Sequence, residues 1–410
     1  MSTSRDAQLT ARAAKVIPNG MWGHMATRSI TAGYPQFFQS AQGCRVTDVD
    51  GREFIDFMCA WGPNVLGYQN ERVDQAALAQ LARVDSGNGP TEALVELAEL
   101  LVSTLDNAAW AMLQKNGSDA TTVCVTVARA ATQRRKLVVV RGAYHGAVPW
   151  CSPSLVGVTA EDRAHILYCE WNDPASLEAA VAEAGDDLAG IMITAFRHDL
   201  GRDQEMPTVE FLSTARALCD KKDALLILDD VRAGFRLDVR GSWAAYGVSP
   251  DLAAYSKAIA NGWPLAAVVG SERAREGAGK IFTTGSFWYG AASHAAAIET
   301  IKILRDTDAL AHTFRMGDRF RAGLDRVTAV HGLKLRQTGP SVMPMVLFEG
   351  DADLKIGNAF CLAALNHGVY LHPKHNMFLS AAHTEADIDQ ALAAAELALQ
   401  DIARAGVIKG

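Results

Sequence analysis

At 410 residues, with 49% hydrophobic and 21% charged residues, the chain has a globular composition and is too long for one ordinary core, so two or three domains or subdomains are expected. Its net charge of −7 offers no electrostatic footprint for nucleic acid or an anionic membrane. The seven cysteines are scattered and none forms a C-x-x-C pair, so neither a zinc site nor a disulfide framework is indicated; no metal is expected, and free thiols in a reducing compartment are the default.

The first twenty residues lack an apolar run long enough for a signal peptide, and no later segment is apolar enough to span a bilayer, which leads us to expect a cytoplasmic protein. Residues 7–16 read as a short helix ended by Pro18-Asn-Gly20. Cys44 to Phe57 alternates apolar and polar residues around Asp50-Gly51, a hairpin signal. From about residue 90 to 300 helical stretches at 91–104, 119–132, 176–184 and 208–221 alternate with short apolar runs at 136–140, 190–194, 225–228 and 265–269. That alternation predicts an α/β domain with a mainly parallel sheet covered on both faces. A helix at 291–304 leads out of it. Long helices at 309–329 and 385–404 surround short strands near 343–348 and 369–371. The expected division is an N-terminal segment 1–66, a large domain 67–305 and a small α+β domain 306–410 joined by the N-terminal segment.

Four places carry residues suited to chemistry. The apolar run Trp110–Leu113 gives way to Lys115-Asn-Gly-Ser-Asp-Ala120 and a helix start, where free N–H groups, Gly117 and the Ser118 hydroxyl can cradle a phosphate. An ordinary helix cap would use the same residues. The loop Arg141-Gly-Ala-Tyr-His-Gly146 follows a strand, so it falls where open parallel sheets bind ligands. Tyr144 can stack on a flat heterocycle, and His145 either lines it or is a satisfied loop histidine. Asp229 and Asp230 end another strand; adjacent strand residues face opposite sides, so only one of them can serve a ligand there. Lys257 follows downstream. An acid that keeps a ring nitrogen protonated, with a lysine that can form an imine with an aldehyde, is what an enzyme needs to hold pyridoxal phosphate.

Asn116-Gly-Ser-Asp-Ala120, Tyr144-His-Gly146, Asp229-Asp-Val-x-x-Gly-Phe-Arg236, Pro250-Asp251 and Ser256-Lys257 occur in the order and spacing of class III pyridoxal-phosphate aminotransferases, a family of fold type I. Trp61-Gly-Pro63 and Ser380-Ala-Ala-His-Thr384 resemble the glutamate-1-semialdehyde aminomutase-like branch. Within it, the wording is similar to that of bacterial aminopentol (fumonisin-type) amine aminotransferases. The resemblance spans nearly the whole chain. It implies a homodimer with active sites at the subunit interface, taking an amine donor and a keto-acid acceptor such as pyruvate and passing through pyridoxamine phosphate; the alternative is an aminomutase or racemase. It implies Lys257 as the imine lysine and proton shuttle, Asp229 on the ring nitrogen, Tyr144 on the ring, Gly117 and Ser118 on the phosphate, with His145 and Val231 completing the cofactor set. Ser286 stands where the family reaches the phosphate from the neighbouring subunit. Trp22, His24, Arg28, Trp61, Phe287 and Trp288 are candidates for the substrate pocket.

Several places depart from the family pattern. Ala195-Phe-Arg-His-Asp-Leu200 replaces the E-P-x-x-G-N stretch, which leaves the partner of the cofactor's phenolic oxygen unassigned. The glycine-rich gating loop of the aminomutases is missing after Gly146, and so is a C-terminal arginine for the co-substrate carboxylate. Arg28 and Arg197 are the replacement candidates, each equally suited to a structural ion pair.

Overall fold

The computed structural model describes residues 4–408. Its centre is a seven-stranded sheet in the order Trp110–Gln114, Ala266–Gly270, Leu252–Tyr255, Leu225–Asp229, Leu188–Thr194, Lys136–Val140 and Ile166–Cys169. The last five of these run parallel to one another, while Ala266–Gly270 is antiparallel to both of its neighbours. The apolar runs at 136–140, 190–194 and 225–228 therefore form parallel strands as expected. The run at 265–269 forms a strand of the opposite sense.

Burial alternates along each central strand. Leu226 and Leu228 belong to one apolar core, with Val138, Val140, Ile191 and Ile193. Leu225 and Ile227 belong to the other, with Leu137, Val139 and Met192, packed under the helix Gly117–Thr132. Strand geometry makes this unavoidable, since successive side chains leave on opposite faces. Helices Pro174–Ala184, Val209–Lys222 and Ala291–Asp306 cover the first face.

A second body combines both ends of the chain. Phe38–Gln42, Arg45–Asp48 and Glu53–Asp56 form an antiparallel meander, and Val369–Tyr370 joins it in parallel beside Glu53–Asp56. Helices Ala309–Val330, Lys355–Asn366 and Glu385–Arg404 supply its core, where Phe57 stacks on Phe320 at 4.4 Å between ring centroids. No helix among the described residues is long and apolar enough to cross a membrane.

Arg236 links the two bodies. It is fully buried, and its guanidinium donates to the carbonyls of Gly62 and, at 2.9 Å, Leu379, while lying 5.0 Å from the centre of the Phe378 ring. Replacing it with Met removes a buried charge but leaves two carbonyls without donors, at a net cost of about 2–4 kcal/mol. Arg236→Met should lower the thermal midpoint by several degrees in differential scanning fluorimetry, with Arg236→Lys falling between the variant and the parent.

Candidate active site

The carboxyl ends of the parallel strands open into a cavity of about 270 Å3. The edge strand Trp110–Gln114 and every parallel strand but Ile166–Cys169 supply a piece. After Trp110–Gln114 comes the helix Gly117–Thr132, whose N-cap Asn116 and third residue Asp119 bond reciprocally, Asp119 accepting from the Asn116 N–H at 3.0 Å. That box leaves the N–H groups of Gly117 and Ser118 free of helical partners and aimed past the sheet edge. Gly117 has to be glycine: a Cβ there would stand 2.7 Å from Val231 Cγ1. Gly146 is under the same constraint, since its φ is +131° and a Cβ would stand 2.5 Å from Ser118 Oγ. Two chain segments thus close on the helix N-terminus with room for a ligand and none for side chains.

From the strand Lys136–Val140 the chain passes to Tyr144 and His145. Tyr144 is 47% exposed, its ring forming part of the cavity wall, while His145 is buried beneath. The Thr121 hydroxyl donates to the His145 carbonyl at 2.7 Å, which ties this loop to the helix. His145 Nδ1 lies 2.7 Å from Asp229 Oδ2, and the other oxygen of Asp229 accepts from the Val231 N–H at 3.1 Å. The neighbouring acid has the opposite fate. Asp230 turns to the other face, takes the Ser242 hydroxyl at 2.5 Å and the Ser242 N–H at 3.0 Å, and is pushed up to about 7 by burial. Asp229 is therefore the acid that faces the cavity.

Lys257 follows the strand Leu252–Tyr255 in a left-handed conformation, with φ 48°. Its amine donates to the Trp61 carbonyl at 2.9 Å. Burial, and then the guanidinium groups of Arg232 and Arg236, pull it down to about 7 against the opposing pull of Asp229. Trp61 is presented by a turn in which Cys59, Ala60 and Trp61 all have positive φ. The buried Asp56 carboxylate stabilises that turn by accepting from the N–H groups of Met58 at 2.7 Å and Cys59 at 2.9 Å. The Trp61 ring is in turn edged by His24, His372 and His375, with centroids 4.7, 5.5 and 5.1 Å away.

Other sequence candidates lie elsewhere in the single chain. Arg197 is outside the lining, its guanidinium 3.0 Å from Asp199 and 3.9 Å from Glu205. Arg28 sits on an exposed turn, Thr27–Ser29, and Trp22 is 71% exposed. Ser286, Phe287 and Trp288 lie in an outlying loop with Phe287 73% exposed. Sequence reasoning missed Arg232 and His198 in the lining and His375 behind Arg232. Arg232 sits inside the very motif that carries Asp229; a cation flanked by Val231, Ala233 and Phe235 was the available signal.

A donor-lined helix N-terminus, a flat aromatic wall, a carboxylate and a lysine held near neutrality fit pyridoxal phosphate. The family model for "Aminotransferase class-III" matches residues 29–399. The chain belongs to the class III aminotransferases. Similar members include an aminopentol aminotransferase of Sphingopyxis macrogoltabida, 46% identical over 98% of this chain and 95% of that protein. A 3-aminobutyryl-CoA aminotransferase of Cloacimonas acidaminovorans is 33% identical over 98% of each. The FumI protein of Sphingopyxis sp. MTA144, solved in its pyridoxal-phosphate internal aldimine form, superposes with a TM-score of 0.97 at 46% identity, covering 98% of this chain and 97% of that one. The chain is thus a fold type I enzyme that uses pyridoxal phosphate to transaminate an amine.

In this class III aminotransferase the Lys257 amine should be half-deprotonated near pH 7. Below that pH it is mostly protonated and unreactive; above it, reactivity levels off. Labelling the apoprotein with an amine-selective reagent and reading Lys257 by mass spectrometry should give a midpoint near pH 7, well below the ordinary lysine value of 10.5. A Lys257 midpoint above pH 9 would contradict the electrostatic account.

Proposed function

We propose that this chain transfers the amino group of a primary amine to a keto acid, with pyruvate as acceptor, and that Lys257 is the residue that moves the proton. The observation that carries this reading is the meeting in one cavity of a lysine pulled to about 7 and a carboxylate held by a histidine. Bound pyridoxal phosphate supplies an aldehyde that takes up the amino group and a ring that stores the electron pair left at the donor carbon. The chain's own residues do the remaining work. Free N–H groups at Gly117 and Ser118 bind the phosphate, and Tyr144 covers the ring. Asp229, oriented by His145 and the Val231 N–H, holds a proton on the ring nitrogen. Lys257 takes the proton from the donor carbon, a task suited to a base titrating near the working pH. The Sphingopyxis relative makes an aminopentol the first donor to try.

The homodimer belongs to the same proposal. Phe282, 95% exposed, Phe287 and Tyr289 form an apolar surface around Ser286. Leu78 and Leu81 are also exposed, on the helix Glu71–Arg83, and the segment after that helix is tied to this loop's end by Asp85, which accepts from the N–H groups of Ala291 and Ala292. So many exposed aromatics in one strip support burial against a second copy, which would also bring Ser286 to the neighbouring phosphate. Light scattering should give twice the chain mass, and Phe282→Asp with Phe287→Asp should shift it toward the monomer.

Lys257→Ala should lower turnover by about 10^3-fold or more, the scale of losing an essential proton-transfer group. The variant should keep its fold by circular dichroism. Incubating the parent enzyme with an amine, with and without pyruvate, separates transamination from the aminomutase or racemase reading: multiple turnovers should require pyruvate. Sustained turnover without an acceptor would decide for the alternative.

A further inference from the structure

We propose that Arg232 is the anchor for the carboxylate of the keto-acid co-substrate, an assignment that rests on the keto-acid reading above. Arg232 lines the same cavity as Lys257 and Asp229. A guanidinium has five N–H donors in a planar fork. Among the described residues its contacts use only Nη1, which donates to Asn376 Oδ1 at 2.5 Å and meets His375 Nε2 at 3.3 Å. The Nε and Nη2 edge has no partner among the described residues, and a free edge of this shape takes a carboxylate through two parallel bonds.

Asp229 and Asp199 act on this charge only from beyond pairing distance. Among the described residues Arg232 takes part in no ion pair, whereas Arg197, the candidate read from sequence, is 3.0 Å from Asp199. Asp229 is already engaged by His145 and the Val231 N–H. The two partners that orient Arg232 are neutral. Asn376 carries no charge, and His375 is held well below its usual range by burial and by Arg232 itself. His375 Nδ1 lies 2.6 Å from the Asn376 carbonyl, which can only accept, so that nitrogen carries the proton and Nε2 accepts from Arg232. His198, the other ring in the lining, is likewise pushed well below its usual range. A half-buried cation with no direct ion-pair partner, beside a reactive amine, is costly to keep, and an anionic substrate group lowers the cost.

The phosphate end of the cavity has its own donors at Gly117 and Ser118, so it does not require Arg232. Arg28 lies on an exposed turn. Arg232 is left as the cation placed to sort acceptors by charge.

The test uses holoenzyme with one amine donor and two acceptors, pyruvate and the neutral aldehyde propanal. Arg232→Gln should raise KM for pyruvate by about 10- to 100-fold, the scale of losing a charge-assisted bidentate contact. It should change KM for propanal far less, and Arg232→Lys should recover part of the loss. Equal losses with both acceptors, or no change with pyruvate, overturn the assignment while leaving the keto-acid reading intact. A parent enzyme active with propanal but inert to pyruvate overturns both. If Arg232→Gln fails to fold or retain cofactor, the parent decides: propanoate should compete with pyruvate, and propanamide should not. Equal competition by the two overturns the assignment.

Discussion

The site depends on a lysine amine buried beside two guanidinium groups. An ammonium there would face desolvation and two like charges at once, so the neutral amine is favoured near pH 7 and can act as nucleophile and base. Holding it there carries a conformational cost. Lys257 and the three residues Cys59, Ala60 and Trp61 all sit in the left-handed region, at roughly 1–2 kcal/mol each for side chains with a Cβ. The Asp56 carboxylate offsets part of this by capping the turn with two backbone N–H bonds and taking the Tyr68 hydroxyl at 2.7 Å. The strained turn has one evident product, a carbonyl at Trp61 aimed at the amine.

The two acids at the end of Leu225–Asp229 show how strand alternation divides labour. Ser242 and the apolar core claim Asp230, whose raised proton affinity comes from burial. Asp229 reaches the cavity only because the strand ends there, so its side chain leaves the face packed under Gly117–Thr132 at the point where that packing stops. A shift of one residue would exchange their environments and place the cavity acid in the core.

Runs such as Leu-Val-Val-Val and Leu-Leu-Ile-Leu were legible because branched apolar residues in short stretches specify a strand buried on both faces. Leu252–Tyr255 escaped because Leu-Ala-Ala-Tyr suits a helix equally well, and its strand character comes from pairing with Leu225–Asp229. The helix Glu272–Lys280 escaped because its two glycines weaken the pattern; packing against Gly117–Thr132 forms it instead. Local motifs showed Gly117, Tyr144, Asp229 and Lys257, since each sits in a turn whose residue types are constrained nearby. The ring of His375, Asn376 and Arg232 joins segments more than 140 positions apart, which no local pattern can register. Arg197 takes the ion-pair reading: its side chain turns to Asp199, and the next residue, His198, enters the lining.

Arg232 and Arg236 lie in the same run of turns after Leu225–Asp229 and both depress the lysine, yet they differ in what can relieve them. Arg236 is locked to the carbonyls of Gly62 and Leu379, so its effect on Lys257 is constant. The effect of Arg232 is conditional. A carboxylate paired with its free edge cancels most of its field, and Lys257 then binds a proton more readily. Linkage makes the exchange reciprocal: whatever raises the proton affinity of the lysine is bound more tightly by the protonated form. Whenever it is not bound as the imine, the lysine would stay neutral while the carboxylate site is empty and become a better base when an anionic substrate arrives.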